Sequence, residues 1–432
     1  MRVAILGGGL AAISSAFFLQ ENENIEEIII IESEERLGGL CRSFEVGGIC
    51  YDVGPHIIFS KDTEILALMN DLLDENNITI KRSNRIIHRN ALVQYPFEND
   101  LSKLDKNDLN YCVNSFVNNP YESYTPTNML QFFLKTFGSG ITNLYLRPYN
   151  EKIWKFDPAF MDLQMVDRIP KPPKEDILRS AEGETVEGYT HQLYFNYPKS
   201  GGIESLVRAF VNRLNDKVKI RTSCEITGVG KSDSGFLITT LGGSFQSDRV
   251  ISTIPINLLA KMYLSKDQHI KPAANNLRYN SIMVAIVNSR IDNAAENFAF
   301  MVADKNIIFH RISKLDFLGE AYHIENTATF MLEITYEKKK DLVYDDNEII
   351  SQIIDGLMSI GFINSYQDVN FSCLKRFEYA YVIYDLDYRK NITIVKDFFN
   401  REGILLNGRF GTFEYLNMDA VIRQSLELSK KF

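Results

Sequence analysis

Val3 to Leu6 form a short unbroken apolar run, and three glycines, Gly7 to Gly9, follow at once. From Leu10 to Leu19 the chain is almost entirely small or apolar, which reads as a buried helix. A second apolar run, Ile28 to Ile31, ends in Glu32. Strand, glycine turn, helix, strand and acid in that order predict a βαβ unit that carries a dinucleotide. The turn Gly7-x-Gly9-x-x-Ala12, with Leu10 and Ala11 opening the helix, lets a backbone approach a pyrophosphate at a helix N-terminus. Glu32 would meet a ribose hydroxyl. A glycine turn in an ordinary α/β sheet is the plain alternative.

Further along, residues 62–165 read as largely helical, with breaks near Asn99, Pro120 and Pro126. Arg168-Ile169-Pro170-Lys171-Pro172-Pro173 starts an irregular stretch that closes on a polar run with Gly183 and Gly188. Proline removes donors and disfavours helix, so residues 168–190 are expected to be a long loop, read as a lid. Residues 201–214 return to a helical pattern, with Ile203, Leu206, Val207, Phe210, Val211 and Leu214 on one face. Strands are expected at 217–222, 235–240 and 249–253. A second, antiparallel sheet is expected from 281–290, 306–312 and 327–336. Ile404 to Arg409 reads as a strand and turn, and Met418 to Leu428 as a helix. Gly228-Val229-Gly230 is not a second nucleotide loop, because a strand rather than a helix follows it.

Composition narrows the partners. The 432 residues carry a net charge of -9, which argues against a nucleic-acid groove or an anionic membrane surface. Five cysteines form no C-x-x-C pair and suit a reducing cytoplasm. Residues 1–19 lack the basic region and cleavage site of a signal peptide. No apolar run approaches the roughly 20 residues that span a bilayer. No Ser-His-Asp set, metal-ligand cluster or carboxylate pair stands out, and the six histidines are scattered. A homo-oligomer is left open.

Glu35-Arg36-Leu37-Gly38-Gly39-Leu40-Cys41-Arg42 resembles the second motif of the large FAD family that includes amine oxidases, protoporphyrinogen oxidase and UDP-galactopyranose mutase. There the paired glycines let the chain pass close to the flavin pyrophosphate. Four further segments are similar to UDP-galactopyranose mutase in particular: Gly54 to Ser60, Gln94 to Asn99, Leu146 to Trp154, and Gly408 to Asp419. The resemblance runs from the first residue to the last helix. It implies an α/β fold with a discontinuous Rossmann-like FAD-binding domain (1–61, 191–262 and 396–432), an inserted helical domain (62–190) and an inserted antiparallel sheet domain (263–395).

It also implies a chemistry. In that family N5 of the reduced flavin attacks the anomeric carbon of a nucleotide sugar, the diphosphate leaves, and the sugar recloses as a furanose for glycan assembly. NADPH or NADH would reduce the flavin transiently. The resemblance assigns the cofactor to Gly7, Gly9, Leu10, Ala11, Glu32, Arg36, Gly38, Gly39, Leu40, Ile226, Gly408, Arg409, Asn417, Met418 and Asp419. The backbone of His56 would lie against the flavin and tune N5. Arg168 and Arg311 match the two arginines that hold the diphosphate, bidentately as a guanidinium can. Tyr381 and Tyr415 match two tyrosines that bond it. Tyr95, Phe97, Glu98, Asn150 and Trp154 fall on nucleotide-contacting segments.

Each has a plain alternative: a solvated charge for Arg168, a cross-strand ion pair for Arg311, ordinary packing for Tyr381 and Trp154, and a satisfied core histidine for His56. Glu98 departs from the glutamine common in the family. An ionised carboxylate only accepts, so it disfavours a uracil carbonyl and favours a donor-rich edge such as guanine. Two rival functions share the cofactor domain: a flavin oxidase of the amine oxidase or protoporphyrinogen oxidase type, and a non-catalytic FAD-binding scaffold.

Overall fold

The structure is a computed structural model that describes residues 1–167, 169, 171–184, 186, 193–264, 270–294, 296–337 and 345–432. The chain opens as expected. Strand Arg2–Leu6 leads through the glycine turn into helix Leu10–Leu19 and then strand Glu27–Ile31. These strands sit in a five-stranded parallel sheet ordered Ile404–Leu406, Arg249–Ser252, Arg2–Leu6, Glu27–Ile31, Val218–Arg221. Both faces of the sheet are covered, which is why its central strands are apolar at successive positions rather than alternately. Three remote stretches of chain build it.

Helix Leu10–Leu19 packs on helix Met418–Ser429 through small residues. Ser14 Oγ lies 2.8 Å from Ser425 Oγ. Asn407 Nδ2 donates to Ser15 Oγ at 2.7 Å and to Ser425 Oγ at 2.8 Å. The carboxy-terminal segment is thereby locked to the first helix, at the end of the sheet where the glycine turn lies. Strands Ile226–Ser232, Gly235–Thr240 and Gly243–Ser247 form a separate antiparallel sheet, so Gly228-Val229-Gly230 lies within a strand.

The larger sheet has seven strands, ordered Val369–Ile383, Arg278–Ser289, Ala328–Tyr336, Arg311–Lys314, Ala299–Val302, Asn84–His88, Ala91–Gln94. It is antiparallel except where Ala299–Val302 pairs with Asn84–His88. Those last two strands correct the helical reading of residues 62–165, as does Ile78–Lys81, which pairs with Tyr194–Tyr197. Each is only four or five residues long, too short to show a period of two against the helical pattern around it. The same region does hold helices Thr63–Leu73, Lys106–Val117, Met129–Ile141 and Arg147–Trp154.

The stretch 168–190 is not an unbroken loop either: Lys174–Ala181 is a helix. Pro173 is its N-cap, Glu175 and Asp176 lie in its first turn and Arg179 in its last, charges that suit the helix dipole. It buries Ile177 and Ser180, and Ser180 Oγ donates to Glu98 O at 2.7 Å. Among the described residues no helix is long and apolar enough to cross a membrane.

Candidate active site

A cavity of about 1190 Å³ runs between the two main sheets. Its floor is made of two glycine turns in contact. Gly38 N donates to Gly8 O at 2.8 Å, and a Cβ on Gly39 (φ +56°) would lie 3.2 Å from Gly9 Cα. Gly9 has no side chain to cap helix Leu10–Leu19, and the open first turn at Leu10 and Ala11 lines the cavity. Glu32 closes the second strand, where its carboxylate accepts from Gly8 N at 2.5 Å and from Glu34 N at 2.8 Å. Leu10, Ala11, Leu40 and Ile226 line the same space. Arg36 does not line it: its guanidinium donates to Ser43 O at 3.1 Å and lies 3.7 Å from Glu204. Arg42 lines the wall instead.

A second helix end meets the cavity from the other side. Asn417 caps Met418–Ser429 with no side-chain hydrogen bond, and Asn417, Met418 and Asp419 line the wall. Ser60 Oγ donates to Asp419 at 2.5 Å, which ties this end to the Gly54–Ser60 segment. Gly408 has φ +82°, and a Cβ there would lie 2.5 Å from Ala11 Cβ. Arg409 Nε donates to Leu416 O at 2.8 Å, and its guanidinium stands 5.1 Å from the centre of the Tyr415 ring. His56 is held by Gly54 O, 3.1 Å from Nδ1. A carbonyl only accepts, so Nδ1 carries the proton and Nε2 is left as an acceptor. Burial, then Arg409, lowers its pKa to about 4, so the imidazole is neutral near pH 7.

The far end of the cavity is lined by strands of the large sheet. Arg311 and Glu333 stand opposite each other on neighbouring strands, and Arg311 Nε donates to the Glu333 carboxylate. Burial opposes the arginine charge, yet Glu333, Tyr381 and Tyr149 raise its pKa, so the cation is secure. Arg311 thus makes the cross-strand ion pair and also lines the cavity. Tyr381 OH donates to Glu333 at 3.4 Å, and Arg82, stacked 5.1 Å from the Phe59 ring centre, lines the same end.

A side chamber of about 240 Å³ shares Tyr95, Tyr149, Ile153 and Tyr415 with the main cavity. Trp154 meets Tyr381 and Tyr415 edge-on, both at 5.8 Å. Asn150 orients the indole: its Oδ1 accepts from Trp154 Nε1 at 2.8 Å while its Nδ2 donates to Leu146 O. Glu98 lines the chamber, and burial pushes its carboxyl up to about 7. Phe97 does not line either space. It is fully buried and stacks on Tyr145 at 5.0 Å, because the short helix after Pro96 turns it into the core. Arg168 lies outside the described residues.

Residues 11–290, more than half of the chain, match the family of flavin-containing amine oxidoreductases. The chain belongs to that family. The curated relatives it matches are shared in part only. It is 21% identical to protoporphyrinogen oxidase 1 of spinach (Spinacia oleracea) over 58% of this chain and 50% of that protein. It is 29% identical to coproporphyrinogen III oxidase of Staphylococcus aureus over 22% of this chain and 21% of that protein. Solved structures share the fold more fully. A reduced UDP-galactopyranose mutase superposes with a TM-score of 0.91 at 23% identity, covering 99% of this chain and 94% of the other. A protoporphyrinogen oxidase candidate from Exiguobacterium sp. 255-15 gives 0.78 at 15% identity, over 100% and 98%.

A flavin, FAD, is the cofactor of this family, and the cavity fits it. The glycine cradle would take the pyrophosphate, Glu32 the ribose, and the Gly408–Asp419 turn the ring system. Sequence reasoning missed Glu333, Arg82 and Arg42. Glu333 had a signal, a lone acid within the otherwise uncharged run Ala328–Tyr336. Arg82 and Arg42 had none, because ordinary surface arginines read the same way.

Proposed function

We propose that this family member is a nucleotide-sugar mutase of the UDP-galactopyranose mutase kind, interconverting pyranose and furanose forms. The observation that carries the reading is the far end of the cavity. An oxidase of apolar substrates calls for an apolar tunnel, whereas Arg311, Tyr381 and Tyr415 offer a cation and hydroxyls. When bound and reduced, FAD supplies an electron-rich N5 toward an anomeric carbon. The chain's own groups do the rest. Arg311 takes the charge that grows on the departing diphosphate, and Glu333 holds its guanidinium in place. Tyr381 and Tyr415 orient the diphosphate through their hydroxyls, and Arg168 is assigned to the same task by resemblance. Neutral His56, fixed through Nδ1, would lie beside the bound flavin without adding charge. The N-terminus of Met418–Ser429 favours negative charge beside it.

The test is a product assay. Dithionite-reduced holoenzyme incubated with a panel of nucleotide sugars is expected to yield ring-contracted isomers, read by proton NMR. No isomer from any sugar, together with oxygen-dependent turnover of an amine or a porphyrinogen, would establish the oxidase reading that the curated relatives favour. NADPH or NADH is proposed as the reductant, and the visible absorbance of the oxidised flavin should bleach on anaerobic mixing; unchanged absorbance with both removes it.

A further inference from the structure

We propose that Glu98 selects the nucleobase: the side chamber takes a base edge with two adjacent N–H donors, the guanine class, over an edge that presents a carbonyl, the uracil and thymine class. The inference rests on the nucleotide-sugar reading above and adds which nucleotide.

The chamber opens onto the diphosphate end of the cavity through Tyr95, Tyr149 and Tyr415. Apart from Glu98, Asn150 and Gln164 its walls are aromatic or apolar, which suits a flat heterocycle. Among the described residues Glu98 is the one ionic side chain in the lining. It is 3% exposed, and among the described residues its carboxylate has no side-chain partner. Asn150 is already committed to Leu146 and Trp154. The backbone N–H of Glu98 donates to its own carboxylate, but a buried carboxylate with acceptor sites left open is costly, and a ligand that supplies two parallel N–H groups matches its two oxygens. Guanine does so through N1–H and its exocyclic amine. Uracil sets a carbonyl beside a single N–H, and that carbonyl would face a second acceptor.

The polar groups that share the chamber with Glu98 are Tyr95 from its own turn, Tyr145, Tyr149, Asn150 and Trp154 from the helical stretch that follows in the chain, Gln164, and Tyr384 and Tyr415 from the carboxy-terminal part. Burial raises the pKa of Tyr95 and of Tyr149, so both stay neutral at pH 7. Glu98 is therefore the group in the chamber that changes charge near neutrality, its carboxyl pushed up to about 7 by burial. Above that value it accepts twice. Below it, the acid offers one donor and one acceptor, which uracil can match.

The experiment is calorimetric titration of FAD-loaded protein with GDP, UDP and inorganic pyrophosphate at about pH 8.5 and about pH 6. GDP is expected to bind at least about tenfold tighter than UDP at the higher pH, the scale of one bidentate pair. The preference should shrink at least about threefold at the lower pH. Glu98→Gln should reduce it about tenfold and make it independent of pH, with pyrophosphate binding unchanged. UDP binding to the wild type as tightly as GDP at the higher pH overturns base selection and leaves the mutase reading intact. If the variant fails to fold, that wild-type ratio still decides. If neither nucleotide nor pyrophosphate binds, the mutase reading falls, and base selection with it.

Discussion

Replacing Arg311 by alanine lowers isomerisation by the reduced holoenzyme about 10²–10³-fold, the usual loss when one donor to developing charge is removed. The flavin is expected to stay bound, since Arg311 belongs to the large sheet and not to the glycine turns that form the pyrophosphate cradle. Two effects must be separated. Arg311 is the partner of Glu333, which is 1% exposed. Stripping the cation from a buried carboxylate costs about 3–5 kcal/mol of stability. The single variant could lose activity simply by unfolding. The double variant Arg311→Ala/Glu333→Gln removes the stranded charge, so it should fold close to wild type while remaining inactive. Steady-state furanose formation by NMR and flavin content by absorbance check both statements. A double variant that folds, holds flavin and keeps most of the wild-type rate would show that Arg311 is a structural ion-pair partner only.

Replacing Gly408 by valine yields nearly colourless protein, with most of the bound flavin lost. Gly408 holds φ +82°, a conformation that costs a branched residue about 1–2 kcal/mol. Crowding costs more than this, because the new Cβ would lie 2.5 Å from Ala11 Cβ. Ala11 is in the first turn of helix Leu10–Leu19, whose N-terminus closes the pyrophosphate cradle. The clash therefore moves the two halves of the cofactor site apart rather than merely loosening a loop. A ligand at about 100 times its dissociation constant stabilises a fold by about 2.7 kcal/mol. Added FAD should accordingly raise the melting temperature of the wild type and leave that of Gly408→Val unchanged. Stoichiometric flavin in the purified variant would show that the turn tolerates the side chain.

The glycine turns, the acid after the second strand and the Gly408–Asp419 turn were all legible from residue order. Backbone approach to a phosphate depends on φ and on the lack of a Cβ, and both are properties of a few adjacent residues. Arg36 was drawn into the site by the same motif, yet it faces Ser43 and Glu204 while Arg42 takes the wall. Two arginines in one short motif cannot be told apart by type; the turn through Gly38 and Gly39 decides which side chain faces inward. Phe97 and Glu98 show the same limit at adjacent positions. One stacks in the core and the other lines the chamber, and a short helix after Pro96 sets that choice.

By itself, then, the amino-acid order determined the βαβ opening, the family's flavin motifs and the kind of side chains available for a diphosphate. Tertiary structure alone decided that strands Asn84–His88 and Ala91–Gln94 join the distant sheet, that Arg311 faces Glu333, and that Glu98 ends in a desolvated chamber. The physical reason is range. Turn geometry and periodicity are written over a few residues. Burial, ion pairing and a shifted carboxyl are set by whatever folds against them, and here that chain lies tens to hundreds of positions away.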